Sequence, residues 1–261
     1  MELKSDYCIR IDSLTINMIN KNCFQIYISD NNEIPTQLLE CIKTIKANCK
    51  DYKYQLFQSD ELRDFINDNF DKDVIKAYDQ LIPYSYKADL GRYCLLHKLG
   101  GWYFDISTTM TSKLPVVSNL TNIVFRDHAF PAGRPSWETC TSVIYSEAGS
   151  TLTEMAISMV VENVKNKYYG QYSLDPTGPG VFGRALAKLG PNKKTFHGMY
   201  IPLTPNHKIK NFACVLPSGK ILAWGKKTHG TSSSNGLAHF GATGVNSYLD
   251  LYRSRKIYSE K

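Results

Sequence analysis

Residues 88–107 read ADLGRYCLLHKLGGWYFDIS. Leu90, Tyr93, Leu96 and Leu99 recur at spacings of three, the pattern of a helix with one buried face, and Asp89 and Arg92 stand one turn apart on a neighbouring face. Gly100 and Gly101 follow the last periodic residue, where a left-handed C-cap favours a residue without a Cβ. The run WYFDI (102–106) is aromatic and β-branched, which predicts a short buried strand. Asp105 falls near the carboxyl end of that strand, on the same face as Tyr103 and Ser107. Open α/β sheets bind ligands at that edge. A carboxylate placed there without a basic neighbour in its own segment needs a cation or hydroxyl groups to satisfy it.

Outward from this stretch the chain alternates strand and helix patterns. FQIYI (24–28), the helical stripe of 36–49 and KYQLF (53–57) predict a β-α-β opening, the usual start of a nucleotide-binding sheet. Helices are expected over 59–66 and 73–81, the second stopped by Pro83. Strands follow at 122–127 and 142–146, helices at 152–168 and 180–190, and short strands near 199–203, 212–216 and 220–224. A Gly- and Ser-rich loop (225–237) precedes a last helix near 245–256, and its part 229–236 has the composition of a surface lid. The fold class expected is α/β, with a mixed sheet flanked by helices.

The 261 residues, 43% hydrophobic and 12% aromatic, suffice for a sizeable core, and with no linker or internal repeat the expectation is a single domain over 1–261. No run approaches the roughly 20 apolar residues of a membrane span, and the polar amino terminus has no apolar leader block, so a cytoplasmic protein is expected. Seven cysteines without a CxxC pair read as reduced thiols. Charge is unevenly spread: residues 184–261 hold thirteen Lys and Arg against Asp250 and Glu260, a formal +11, and the preceding residues carry −4. Such a block calls for an anionic partner. A nucleoside diphosphate, an anionic membrane surface or a lipid-pyrophosphate acceptor fits it. Nucleic acid fits less well, because the bases are dispersed among strand-like apolar runs with no recognition motif.

The pattern Ala-Asp-x-x-Arg-Tyr, a short helix, then Gly-Gly-x-Tyr-x-Asp resembles the sugar-binding region of glycosyltransferase family 32. Weaker echoes lie at 34–57, at TGPG (177–180) and at AHFGATGVNSY (238–248). The resemblance implies a GT-A-like fold with its donor-binding signature at 84–107. It implies transfer of a hexose or N-acetylhexosamine from a nucleotide-sugar, UDP-linked by expectation, to a glycan or lipid-linked glycan, with retention of configuration, in bacterial-type surface polysaccharide synthesis. By the same resemblance Asp89 and Arg92 hydrogen-bond the donor sugar, Tyr103 and Asp105 meet the nucleotide ribose and sugar, and Asp105 reaches a divalent Mn²⁺ or Mg²⁺. Catalysis then rests on Asp105, Asp89 and Arg92, and Ser107, Ser247 and Tyr248 join the donor-binding set. Ser107 stands where the family carries a second, metal-ligating Asp. A hydroxyl is a poorer ligand for a hard dication, which leaves His239 as the supplementary metal ligand to consider. Asp175 is a further candidate contact to the acceptor or the anomeric centre, unranked against Glu138 and Asp127, and Lys226 and Lys227 are candidates for the leaving diphosphate. Two other readings compete: a non-catalytic sugar-nucleotide-binding protein and a basic membrane- or nucleic-acid-binding module.

Overall fold

The computed structural model describes residues 21–31, 33–115, 117–127, 137–202, 209–210, 212–225, 228–229, 237–238, 240–244 and 246–260. The chain opens with β1 (Asn22–Ile26), α1 (Thr36–Asn48) and β2 (Lys53–Phe57), and β1 and β2 pair in parallel. Leu38, Ile42 and Ile45 form the buried stripe of α1. Helix α2 (Ser59–Asn69) starts in a capping box, its Glu61 carboxylate accepting the Gln58 backbone N–H at 3.2 Å. Helix α3 (Lys72–Gln80) starts under Asp71, whose carboxylate accepts two backbone N–H groups.

Helix α4 (Tyr84–Leu99) and strand β3 (Gly101–Phe104) are the decisive stretch. Gly100 caps α4 at φ 62°, and Gly101 follows at φ 121°. A Cβ on Gly101 would lie 2.4 Å from the Asn22 carbonyl oxygen, so the turn can press β3 against β1 only because both residues are glycine. Asn22 seals the junction by donating to the Leu99 carbonyl at 3.0 Å. The expectation of one buried face on α4 is corrected. Nine of its sixteen residues are buried, Asp89 and Arg92 among them, because α4 lies between the sheet and α2, α3 and further helices. A helix buried all round shows no amphipathic stripe.

After β3 come β4 (Thr109–Met110), β5 (Asn122–Asp127), β6 (Thr139–Ser146), α5 (Thr151–Lys165), α6 (Pro179–Leu189), β7 (Thr195–Pro202), β8 (Ile209–Lys210), β9 (Phe212–Val215), β10 (Ile221–Trp224), β11 (Thr228–His229) and α7 (Tyr248–Arg253). Nine strands make one mixed sheet in the order β2-β1-β3-β6-β5-β7-β9-β10-β4, and β8 and β11 form a separate pair. Alternation along β3 sends Tyr103 toward α4, α5 and α6 with Phe24, Val124 and Ile144, and Trp102 and Phe104 to the opposite core with Phe125 and Tyr145. Strand β6 begins three residues earlier than expected, and the closing helix is confined to 248–253. Pairing of β6 with β5 is broken by a bulge: Ile123 faces Tyr145 while Phe125 faces Cys140, so two steps on β5 span five on β6. Bulges re-aim a strand at a sheet edge, and this one lies where Asp105 donates its N–H to the Ser142 carbonyl.

Candidate active site

A cleft with about 660 Å³ of empty space, its open mouth included, lies beyond the carboxyl ends of β1 and β3. Ile26 and Ile28 line it from the first strand, Tyr84, Ser85, Ala88 and Arg92 from α4, and Tyr103, Asp105, Ile106 and Ser107 from β3 and the turn after it. Leu237, Asn246 and Tyr248 close it from the carboxy-terminal segment. That segment is stitched down. Asn246 accepts the Tyr84 backbone N–H at 2.9 Å and donates to the Ile82 carbonyl at 3.0 Å, while Asp30 donates its N–H to the Gly244 carbonyl and accepts from the Tyr84 hydroxyl.

At the cleft floor one buried cation organises two carboxylates. Arg92 is paired with Asp89 at 3.0 Å and with Asp105 at 3.1 Å. It also donates to the Ala88 carbonyl (3.1 Å) and to the Thr141 carbonyl (2.6 Å), which the β6 bulge presents, and lies 4.6 Å over the Tyr103 ring. A guanidinium removed from water needs such saturation. Asp89 is the deeper acid: one oxygen faces Arg92 and the other accepts from the Thr177 hydroxyl at 2.8 Å. Burial raises its pKa to about 6, against the lowering pull of Arg92 and Thr177. Asp105 keeps its side chain 30% exposed to the cleft, with Oδ1 accepting from the Tyr103 hydroxyl at 2.9 Å. Burial pushes the Tyr103 phenol up, so it stays protonated and donates. Three of the sequence candidates, Asp89, Arg92 and Asp105, thus form one network, and Tyr103, Ser107 and Tyr248 share its cleft.

The other candidates sit differently. Ser247 is the N-cap of α7, its hydroxyl accepting the Asp250 N–H at 3.3 Å, so its side chain acts on the helix start. Asp175 is buried; its carboxylate holds the backbone N–H groups of Gln171 and Tyr172 and pairs with Arg184 at 3.4 Å, which makes it the organiser of the loop before α6. His239, Lys226, Lys227 and the lid-like stretch 230–236 lie outside the described residues. Sequence reasoning missed Thr177, Thr141, Ser85 and Asn246. Thr177 opens the noted TGPG loop, which serves Asp89: a Cβ on Gly178 would come within 3.0 Å of the Asp89 carboxylate, so the loop can close on that acid. Ser85 offers a cleft-lining hydroxyl that is buried and has no partner among the described residues.

Residues 7–172 match the capsular polysaccharide synthesis protein family. The chain belongs to that family. Among curated proteins it is 29% identical, over 97 residues, to an uncharacterized glycosyltransferase of Acanthamoeba polyphaga mimivirus, a match covering 37% of this chain and 39% of that one. The chain therefore spans about two-fifths of that relative's length. Among solved structures it is similar to the PaToxG glycosyltransferase, with a TM-score of 0.52, 19% identity, and coverage of 66% of this chain and 70% of that one. The nine-stranded mixed sheet flanked by helices is a GT-A-like fold.

Proposed function

We propose that this family member is a glycosyltransferase that moves a hexose or N-acetylhexosamine from a nucleotide-sugar, UDP-linked in the first instance, to a glycan or lipid-linked glycan of a surface polysaccharide. The observation that carries this reading is the Arg92–Asp105 pair on the floor of a cleft at the carboxyl ends of parallel strands, backed by the buried Asp89. The apolar wall of Ile26, Ile28 and Ala88 with the Tyr84 and Tyr248 rings suits a nucleoside, and the unpartnered Ser85 hydroxyl gives it a polar anchor. The donor sugar then lies over Asp105, with Asp89 behind Arg92 holding that guanidinium in place.

Asp89 has both oxygens engaged, by Arg92 and Thr177, and Asp105 has Oδ1 held by Arg92 and Tyr103, so the described site offers no fully free carboxylate as the nucleophile of a double displacement. A same-face transfer fits better. The acceptor oxygen bonds to the anomeric carbon as the bond to the diphosphate breaks, and the acceptor's proton passes to the departing phosphate oxygen. This gives retention and an α-linkage. Arg92 holds Asp105 in place and adds positive charge at the site where the oxocarbenium and diphosphate separate.

The described residues do not fit a protein-held dication. Oδ1 of Asp105 already faces Arg92 and Tyr103, Ser107 supplies a buried neutral hydroxyl, and no group of three His, Cys, Asp or Glu side chains gathers among the described residues. The metal role considered for Asp105 with His239 thus has only one carboxylate oxygen to draw on within the described site, and no step here passes through a metal.

Thermal melting with UDP-, GDP-, CMP- and dTDP-sugars tests the donor class, because a ligand of the native state raises the melting temperature. Release of nucleoside diphosphate from the stabilising donor separates an enzyme from a binding protein. No shift with any donor would refute the proposal.

A further inference from the structure

We propose that the face where the end of α5 meets the end of α7 docks the protein on an anionic lipid bilayer. Two helices deliver their last turns to this face. Lys165, Lys167 and Tyr168 leave α5 exposed, and Arg253, Arg255 and Lys256 leave α7 exposed. The two turns are joined through tyrosines: the Arg255 guanidinium lies 4.3 Å over the Tyr169 ring, Tyr169 meets Tyr258 edge-on at 5.5 Å, and the Tyr258 hydroxyl donates to the Tyr168 carbonyl. A concavity with about 710 Å³ of empty space, its open mouth included, lies beside them and adds Lys76.

Charge alone would be a weak argument, since cations at helix carboxyl ends also answer the helix dipole. Backbone conformation supplies a second observation. Lys167 and Arg255 sit at φ 48° and 58°, two of the three non-glycine residues at positive φ among the described residues. These are positions just past a helix end, where glycine or asparagine is at ease and a long β-methylene side chain is strained. Both positions carry a base: Lys167 lines the concavity with Tyr258, and Arg255 lies over the Tyr169 ring that meets Tyr258. The acids on and around this face are fewer. Asp73 lines the concavity, Glu162 accepts from Asn166, Asp250 lies in the first turn of α7, and Glu260 follows the Tyr258 contact.

The occupant that fits is a continuous anionic surface rather than a single phosphate, because six bases are spread over two helix ends and a groove. Tyr168, 40% exposed, suits the headgroup layer. Contact would be peripheral, as no helix among the described residues is long and apolar enough to cross a bilayer. The face is continuous with the cleft: Tyr248 lines the cleft at the first turn of α7, and Arg253 ends the same helix about 7.5 Å further along. Docking here would set the cleft mouth beside the headgroups.

Flotation of the full chain with phosphatidylcholine vesicles, with and without 30% phosphatidylglycerol, tests the proposal. Each base near the surface should contribute roughly fivefold to binding, so Lys165→Gln/Lys167→Gln/Arg253→Gln/Arg255→Gln should bind more than a hundredfold more weakly. Wild-type binding should also fall steeply as salt rises. Lys167→Gly/Arg255→Gly relieves the strained backbone and should remain folded by circular dichroism while losing binding about twentyfold. The proposal is overturned if the folded variants float like wild type, if neutral vesicles bind equally well, or if wild type binds duplex DNA but no vesicle at low salt. Donor-induced thermal shifts are read separately, so failure here leaves the cleft assignment standing.

Discussion

Replacing Asp89 by Asn separates the electrostatic cost of the site from its chemistry. In the folded protein burial raises the Asp89 pKa from 3.8 to about 6. A folded-state pKa above the unfolded one means that the native state holds its proton more tightly. The associated stability is complete below about pH 4 and is lost as pH rises through 6. That rise in pKa corresponds to about 3 kcal/mol, so near neutral pH the ionised Asp89 costs the fold roughly that much relative to its acid form. Asparagine mimics the neutral acid at every pH. Urea unfolding of wild type and Asp89→Asn from pH 4 to 7.5 measures the effect free of every other titrating group, because only the difference between the two proteins is read. The variant should gain about 3 kcal/mol on wild type between pH 4 and 7 while losing donor turnover. A stability difference that stays constant across this range would refute the reasoning. It would mean that Arg92 and the Thr177 hydroxyl fully offset the burial of the carboxylate.

Asp105→Asn should abolish donor turnover and leave the melting temperature within a few degrees, since this acid faces the cleft; unfolding, or activity at the wild-type rate, would remove it from the site. Arg92→Lys should destabilise by about 3 kcal/mol in urea unfolding, because an ammonium cannot reach two carbonyls and two carboxylates in one plane. Ser107→Asp should create calorimetrically measurable Mn²⁺ binding in the unliganded protein by adding a second carboxylate beside Asp105, and an unchanged titration would show that position 107 cannot act with Asp105 as a ligand.

Much of this arrangement could be read before any fold was known, for an identifiable reason. Asp89, Arg92, Gly100, Gly101, Tyr103 and Asp105 lie within seventeen consecutive residues, so helix period, cap chemistry and strand alternation suffice to bring them together. The β-α-β opening was legible on the same grounds, because each element has its own apolar period and clear ends. What stayed hidden depends on long-range packing. The carbonyl that holds Arg92 comes from Thr141, and nothing local marks a bulge whose register is set by β5. Asp175, beside the TGPG loop, read as a candidate ligand contact, yet its carboxylate is taken up by N–H groups and an arginine that the folded loop supplies. Asn246 reads as one of several polar residues in a Gly-rich tail until the tail closes over α4. The burial of α4 on all sides was equally unreadable, because a helix surrounded by partners shows no period.

The charges of the site are therefore local in the chain, and the groups that satisfy them are distant. Asp89 and Arg92 are fixed by one helical turn, and the Gly-Gly junction brings Asp105 back beside them at little cost in loop entropy. Their electrostatic character is set from elsewhere: Thr177, 88 residues away, donates to Asp89, and Thr141, 49 residues away, accepts from Arg92. This division places the tuning of the site in segments that need not touch the donor. Thr177→Val keeps the shape of the loop and removes one hydroxyl that favours the ionised acid, so the Asp89 pKa should rise further and the acid side of the pH–rate profile should move upward. The carboxylate would then be protonated over more of the working range although every group in the cleft is unchanged.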